Sequence, residues 1–305
     1  MVATAPDLTF RVLGPFEVVV DARPVPVGGP RLRAVLARLL VHPGHLVGVG
    51  TLVDEIWHDA TPPPDAERTI RTYISRLRAA LGPHTAAETP LVTSTPGYLL
   101  RVDGGSIDAH RFEHLAAAGR RALAAGHHDQ AATQLATALA LWRGDAFAEF
   151  TGHPTLAAAG ARLARLRINT VEDRIAADLA VGSDADLVTE LEALSKAHPE
   201  RERIWEQLMT ALYRAGRQAE ALTVFRTART VLINEHGIEP TPHLVETHHR
   251  ILAQDPRLTA GSTTAHPSAT AAHMDLSQLK ERREELHAAL KHARQAGEGF
   301  RLAPT

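Results

Sequence analysis

No cysteine occurs in the 305 residues, which excludes disulfides, thiolate chemistry and any Cys-ligated zinc site, and fits a reducing compartment. No apolar run approaches the roughly 18 residues of a membrane span, and no charged-then-apolar leader pattern opens the sequence, so a cytoplasmic location is expected. An excess of one charge is also missing. Against 33 basic residues stand 35 acidic ones, for a net charge of −2. Residues 1–105 carry 10 basic and 10 acidic side chains, residues 106–254 carry 16 and 19, and residues 255–305 carry 7 and 6. A nucleic-acid partner therefore cannot be argued from bulk charge and must be sought in the local placement of arginines.

Catalytic patterns are missing as well. There is no Gly-x-Ser-x-Gly elbow and no Gly-x-x-x-x-Gly-Lys-Ser/Thr phosphate loop, and the carboxylates Glu172-Asp173 are adjacent and so expected to diverge on a helix. Eighteen histidines include His42-x-x-His45, His110-x-x-x-His114, His127-His128 and His248-His249. Only His110 and His114 have the spacing that sets two imidazoles on one helical face, and no acidic base lies between them in the zincin pattern. Two ligands do not make a site, so surface or core histidines are expected, with no metal and no other cofactor. Nothing supports an enzyme.

What is present is ordinary globular composition, 44% hydrophobic and 22% charged, in a chain long enough for about two domains. Phe10-Arg-Val-Leu13, Phe16-Glu-Val-Val-Val20 and Arg23-Pro-Val-Pro-Val27 are short β-branched runs parted by Gly14-Pro15 and Asp21-Ala22, the pattern of a small antiparallel sheet. Leu32, Val35, Leu36, Leu39 and Leu40 recur at helical spacing between Pro30 and Val41. A second short helix is expected to be capped by Thr51 and to run through Trp57, before Thr61-Pro-Pro-Pro64 breaks the chain.

The segment from Asp65 to Leu81 is the most informative. At 100° per residue, Ile70, Ile74, Leu77 and Leu81 fall within one narrow arc, the face that packs on the domain. The opposite face carries Arg68, Thr69, Thr72, Ser75, Arg76 and Ala79, with Arg71 and Arg78 on its flanks. Asp65 and Glu67 sit in the first turn, where acids suit the helix dipole. After a polar loop, residues 91–102 alternate about Pro96-Gly97, which reads as a hairpin. From Asp108 to Gln254 only helical periodicity is found. Trp205, Leu208, Ala221, Phe225 and Ala228 follow the large and small positions of a tetratricopeptide repeat, with Ile233 in place of its final proline. Ala131, Leu135, Ala138, Leu139 and Trp142 suggest another helix pair. The expected architecture is mainly α: a winged helix-turn-helix domain (α+β) over 1–105, an all-α TPR-like domain over 106–254, a linker over 255–275 rich in Ala, Thr, Ser, Pro and Gly, and a charged helix and tail over 276–305.

The order of these elements, with Glu67-Arg-Thr-Ile-Arg-Thr-Tyr-Ile-Ser-Arg-Leu-Arg-Ala-Ala-Leu-Gly82 and the Pro96-Gly97-Tyr98 turn, resembles the OmpR-type winged helix of the SARP family of antibiotic-biosynthesis activators. Ile107-Asp-Ala-His-Arg-Phe-Glu-His-Leu115, Ala138-Leu-Ala-Leu-Trp-Arg-Gly144 and Arg217-x-x-Glu-Ala-Leu222 resemble the bacterial transcriptional activation domain that follows it in that family. The resemblance covers roughly residues 8–254 and implies a small member, without receiver or nucleotide-binding modules. It implies a pathway-specific activator in the bacterial nucleoid. Such a protein binds direct repeats in double-stranded DNA near promoters as a homodimer and recruits RNA polymerase holoenzyme, including its sigma factor. In a winged helix of this type the third helix enters the major groove, so that Arg68, Thr69, Thr72, Ser75 and Arg76 face the bases, while Arg31, Arg33, Arg71, Arg78 and Arg101 are placed to neutralise phosphates. The wing residues Thr93, Ser94, Thr95 and Gly97 lack the arginine found in many such wings. His58, Asp59, Thr61, Pro62 and Pro63 form the connection that OmpR-type domains turn toward polymerase, where a proline-stiffened turn is the alternative; Trp57 is expected in the core. The competing class is a helical-repeat adaptor or ligand sensor whose winged domain contacts protein.

Overall fold

The computed structural model describes residues 7–82, 89–182 and 184–259. Strands β1 (Leu8–Arg11), β2 (Glu17–Val20) and β3 (Arg23–Val25) form an antiparallel meander in the order β1-β2-β3, with Leu8 opposite Val20 and Val18 opposite Val25. Asp21 and Ala22 both have positive φ, 47° and 63°, the geometry that lets a two-residue turn follow the right-handed twist of the strands. Helices α1 (Pro30–Val41), α2 (Val49–Ile56) and α3 (Ala66–Ala80) follow. A second sheet is ordered β4-β6-β5, from β4 (Val47–Gly48), β5 (Leu91–Ser94) and β6 (Gly97–Leu100).

The cap expected at Thr51 is not found. Helix α2 starts at Val49 with Gly48 as N-cap and no side-chain capping bond, because the β4–β6 pairing fixes the chain at Gly48 and the Val49 amide donates to the Pro96 carbonyl at 3.1 Å. Thr51 lies inside the helix.

Among the described residues seven further α-helices follow: α4 (Asp108–Ala124), α5 (His128–Leu139), α6 (Pro154–Val181), α7 (Asp184–Ala197), α8 (Glu202–Arg214), α9 (Gln218–His236) and α10 (Pro242–Leu252). The pairs α4/α5 and α8/α9 are the helix pairs expected from the large and small positions. At the α4/α5 contact a β-carbon on Gly119 would lie 2.5 Å from Leu135 Cγ, so glycine permits the close approach. Helix α9 stops at Gly237, whose φ of 68° lets the Ile238 amide reach back to the Leu232 carbonyl, closing the last turn as a left-handed C-terminal cap. Among the described residues no helix is long and apolar enough to cross a membrane.

The packing does not divide at residue 105. One buried core joins Phe10, Leu13, Leu36, Ile70 and Leu100 to Phe112, Phe147, Phe150 and Leu163, with Phe16 edge-on to Phe150 at 5.3 Å. A second core begins at Ile175 and takes in α7 to α10. The 28-residue α6 contributes its first half to one core and most of its second half to the other, while Ala177 packs with Ala122, Ala131 and Leu135 of α4 and α5 in a small third cluster. The winged part is also tied by backbone to the helical part, through isolated bridges pairing Phe10 with Ile107 and Leu13 with Ala146. Between them Asp108, 5% exposed, accepts the Val12 amide on Oδ1 at 2.8 Å and the Leu13 amide on Oδ2 at 3.1 Å. Burial pushes its carboxyl above the usual carboxylate range, against the pull of those amides and of Arg143.

The stretch expected to begin the linker still belongs to this fold. Asp255 caps a single 3-10 turn, Pro256–Leu258, and Leu258 is buried against the second core. The remainder of the linker and the helix expected from Leu276 lie outside the described residues.

Candidate nucleic-acid interface

Helix α3 buries Ala66, Ile70, Ile74 and Leu77, the stripe predicted from its spacing, which fixes the rotation of the helix and so its outer face. On that face Arg68, Thr72, Ser75, Arg76 and Ala79 are exposed, while Thr69 is half-buried. The Thr69 hydroxyl donates to the Asp65 carbonyl at 3.2 Å and the Thr72 hydroxyl to the Arg68 carbonyl at 3.0 Å. Both are thus turned along the helix and keep only acceptor capacity. The side chains of Arg68 and Arg76 make no hydrogen bond or ion pair with any described residue, so their guanidinium donors face solvent. Two guanidinium forks, the hydroxyls of Thr69, Thr72 and Ser75 and the Ala79 methyl along a single helical stripe match the chemistry of base edges in a major groove.

The flanking arginines divide into two groups. Arg71 is paired with Glu67 at 3.1 Å, with both side chains more than 60% exposed; such a pair contributes less than about 1 kcal/mol and yields readily to a phosphate. Arg31 is exposed and its guanidinium lies 5.5 Å from the Trp57 ring centroid. Trp57 is buried as expected and stacks on Tyr73 of α3. Arg101 is exposed.

Arg33 and Arg78 are committed elsewhere. Arg33 donates to Glu149 at 2.7 Å and to the Phe16 carbonyl at 3.1 Å, which binds α1 to the helical part. Arg78 donates through Nε and Nη2 to the Leu91 carbonyl, at 2.9 and 2.8 Å, and through Nη2 to Thr93 Oγ1 at 2.7 Å. It therefore sets the wing against the end of α3. Replacing Arg78 by alanine removes all three bonds and frees the wing edge. The expected result is a lower melting temperature, with weakened DNA binding that the lysine variant, lacking the two-pronged grip on one carbonyl, does not restore.

In the wing itself Thr93, Thr95 and Pro96 are exposed, Ser94 is half-buried and Gly97 is buried. A β-carbon on Gly97 would fall 1.9 Å from the Val47 carbonyl oxygen and 2.8 Å from Gly48 Cα. The glycine expected as a turn residue is thus required by the close approach of β4.

The loop expected to face polymerase presents His58, Asp59, Thr61 and Pro62 to solvent, with Pro63 half-buried. It is held at both ends, by the Ala60 amide on the Trp57 carbonyl and the Ala66 amide on the Pro63 carbonyl. The His58 ring lies 4.8 Å from that of His153 at the start of α6. Behind it Glu55 accepts from Arg38 and from Thr155 Oγ1, a junction whose partners are 17 and 100 residues apart in sequence and leave no local pattern.

Glu172 and Asp173, expected to diverge, converge instead on Arg203, whose Nη1 lies 3.6 Å from Glu172 Oε2 and 2.7 Å from Asp173 Oδ1. Arg201 holds the other Glu172 oxygen. The two buried carboxylates and these two partly exposed arginines form an ion network that braces α6 against the start of α8. Among the described residues no group of three or more His, Asp or Glu side chains is arranged to hold a metal ion.

Fold and surface together define a winged-helix module joined through one core to a helical-repeat module. Two family models match the chain: "Transcriptional regulatory protein, C terminal" over residues 27–100 and "Bacterial transcriptional activator domain" over residues 107–252. The regulatory protein DnrI of Streptomyces peucetius is 37% identical over 255 residues, covering 82% of this chain and 93% of its own length. The regulatory protein AfsR of Streptomyces griseus is 43% identical over 256 residues, 84% of this chain but 26% of its own length, so the chain spans about a quarter of that relative. A solved structure of Mycobacterium tuberculosis EmbR in complex with a low-affinity phosphopeptide superposes with a TM-score of 0.78 at 34% identity, covering 85% of this chain and 69% of that one. The chain belongs to the SARP family of regulators.

Proposed function

We propose that the protein is a sequence-specific DNA-binding activator of transcription, acting by binding and not by catalysis. In this reading it is specific for an antibiotic or other secondary-metabolite pathway, binds direct repeats as a homodimer, and works in the cytoplasm at the nucleoid. The observation that carries the reading is the outer stripe of α3, where the Arg68 and Arg76 side chains have no partner among the described residues. The relatives DnrI and AfsR are regulatory proteins and EmbR is a transcriptional regulatory protein, which supports the same direction. Arg71, Arg31 and Arg101 are assigned to phosphates, and Arg33 and Arg78 are assigned instead to the intramolecular contacts that hold their side chains. The stapled loop from His58 to Pro63 is assigned to RNA polymerase holoenzyme, including sigma.

The test is selection of bound duplexes from a random pool, followed by affinity measurement on the enriched site. Enrichment of a direct repeat with about one helical turn between half-sites is expected, since successive copies must face one side of the duplex. Each arginine–guanine pair is worth about 1–3 kcal/mol, so the Arg68→Ala/Arg76→Ala double variant should lose at least about thirtyfold in affinity while its melting temperature stays unchanged. Arg71→Ala should weaken binding to every duplex alike and flatten the salt slope by about one unit. A folded double variant with undiminished affinity would remove the site assignment. No enrichment at all would favour the adaptor reading.

A further inference from the structure

A cavity of about 500 Å³ opens between α6, α8 and α10, in the second core and away from α3. Its walls are apolar at Ala176, Leu179, Ala180 and Leu244, and its polar rim contains Glu202, Arg203, Glu206, Gln207, Arg214 and His243. Several donors on this rim are already engaged. Arg203 is bound to Asp173 and Glu172, and Arg214 donates to the carbonyls of Leu258 and Leu179 at 2.6 Å each. His243 Nε2 stands 3.1 Å from Glu206 Oε1, and the Thr210 hydroxyl donates to the Glu206 carbonyl.

The acceptors are not used up. Gln207 is 6% exposed; its Nε2 donates to the Glu172 carbonyl at 2.7 Å, which fixes the orientation of the amide and leaves Oε1 buried with no partner. A buried carbonyl without a donor is costly and marks a position that a ligand can satisfy. Beside it Glu206 receives its contacts from His243 and Thr247 on Oε1, and Oε2 receives none from the described residues. Burial pushes the Glu206 carboxyl up, partly offset by His243, Thr247, Arg203 and Arg250; a cation donating to Oε2 would offset it further.

We propose that this cavity binds an organic cation, an ammonium or guanidinium group on a short apolar chain, with Glu206 as its counter-ion and Gln207 Oε1 as a hydrogen-bond acceptor. The apolar walls take the chain and the two acceptors take the N–H donors, which suits the common design of a ligand pocket with few convergent polar groups. The same head group can come from a small free amine or from a lysine or arginine side chain of a partner protein. The site is separate from the α3 surface and stands whether or not that surface reads DNA.

The experiment is isothermal titration of the full chain with agmatine and with n-hexylamine, using 1-hexanol as the neutral isostere and Gly-Gly-Lys-Gly-Gly as the peptide arm. Saturable one-to-one binding of an amine is expected, at least about tenfold tighter than hexanol and weakened about tenfold or more in Glu206→Gln, which keeps the side chain's shape. The Arg68→Ala/Arg76→Ala variant should bind the amine as the unaltered protein does. Tighter binding of the peptide than of agmatine supports the site and assigns the cation to a partner's side chain; the reverse supports the site and assigns it to a free amine. The proposal is overturned by hexanol binding as well as hexylamine, by the absence of saturable binding of all three cations at about 10 mM, or by undiminished amine affinity in Glu206→Gln. The hexanol comparison is made on the unaltered protein, so it decides the matter even if the variant does not fold.

Discussion

Asp108→Ala should unfold at a temperature lower by roughly 5–20 °C. The carboxylate satisfies two buried amides, those of Val12 and Leu13, one on each oxygen. Without it both are stranded in a region where Val12 and Leu13 are at most 1% exposed. Each buried donor left without an acceptor costs about 1–3 kcal/mol, so the pair costs about 2–6 kcal/mol. A unit of this size loses about 2–4 °C of melting temperature per kcal/mol. Asparagine is expected to rescue little. Because each amide uses a different carboxylate oxygen, the variant's NH2 group would face one of the two N–H donors and repel it. Thermal unfolding followed by circular dichroism checks both variants, and an Asp108→Asn protein as stable as the parent would show that this two-pronged contact does not hold the winged part to the helical part.

Gly97→Ala is expected to have the next largest effect, and on a different readout. Its β-carbon would overlap the Val47 carbonyl, and backbone cannot swing aside as a side chain can. To relieve the overlap β6 must part from β4, which breaks the Val47–Tyr98 and Gly48–Gly97 pairings and shifts the hairpin that Arg78 holds against α3. Overpacking of this kind costs about 1–3 kcal/mol, or more where backbone must move, and DNA affinity should fall with it. Gly50→Ala provides the control. Nothing lies within 4 Å of its added carbon and it sits inside α2, so alanine there should stabilise by about 0.5–1 kcal/mol. Melting temperature and duplex affinity measured on both variants separate close packing from a general intolerance of substitution at glycine.

Wherever one face of an element is buried, the sequence made that element legible. Helix α3 could be placed to within a residue, with its outer stripe identified, because Ile70, Ile74 and Leu77 repeat at the helical period and nothing else could face inward. The β5/β6 hairpin was legible for the same reason, through alternation about Pro96-Gly97. Strand β4 was not: two residues carry no period, and its existence depends on a partner 50 residues away. The misplaced cap at Thr51 follows from that omission, since the β4 pairing determines where α2 starts.

For the candidate site, sequence supplied the positions of the charges but not their state. Arg33, Arg71 and Arg78 look alike on a helical projection. Their partners differ: Glu149 at a separation of 116 residues, Glu67 at four, and the Leu91 carbonyl at 13. Only the second could have been anticipated from spacing. Glu172 and Asp173 show the same limit. Their divergence is a rule for an isolated helix, and an arginine from α8 long enough to reach both carboxylates overrides it.

Helix α6 determines where this chain can be cut and rejoined. Exchange of modules between relatives is usually planned at the seam between family matches, here between residues 100 and 107. A hybrid made there would have to reproduce, from foreign sequence, the grip of Phe112, Phe150 and Leu163 on Phe10 and Leu36. A hybrid spliced within α6 between Leu166 and Ile168 leaves these two cores whole, since those residues pack against different ones, and has only to keep the small cluster that Ala177 forms with Ala122, Ala131 and Leu135. The splice must respect helical phase: each residue gained or lost turns the second half by about 100° and moves it by about 1.5 Å. Natural length variation in α6, if it exists, should therefore come in steps close to whole turns.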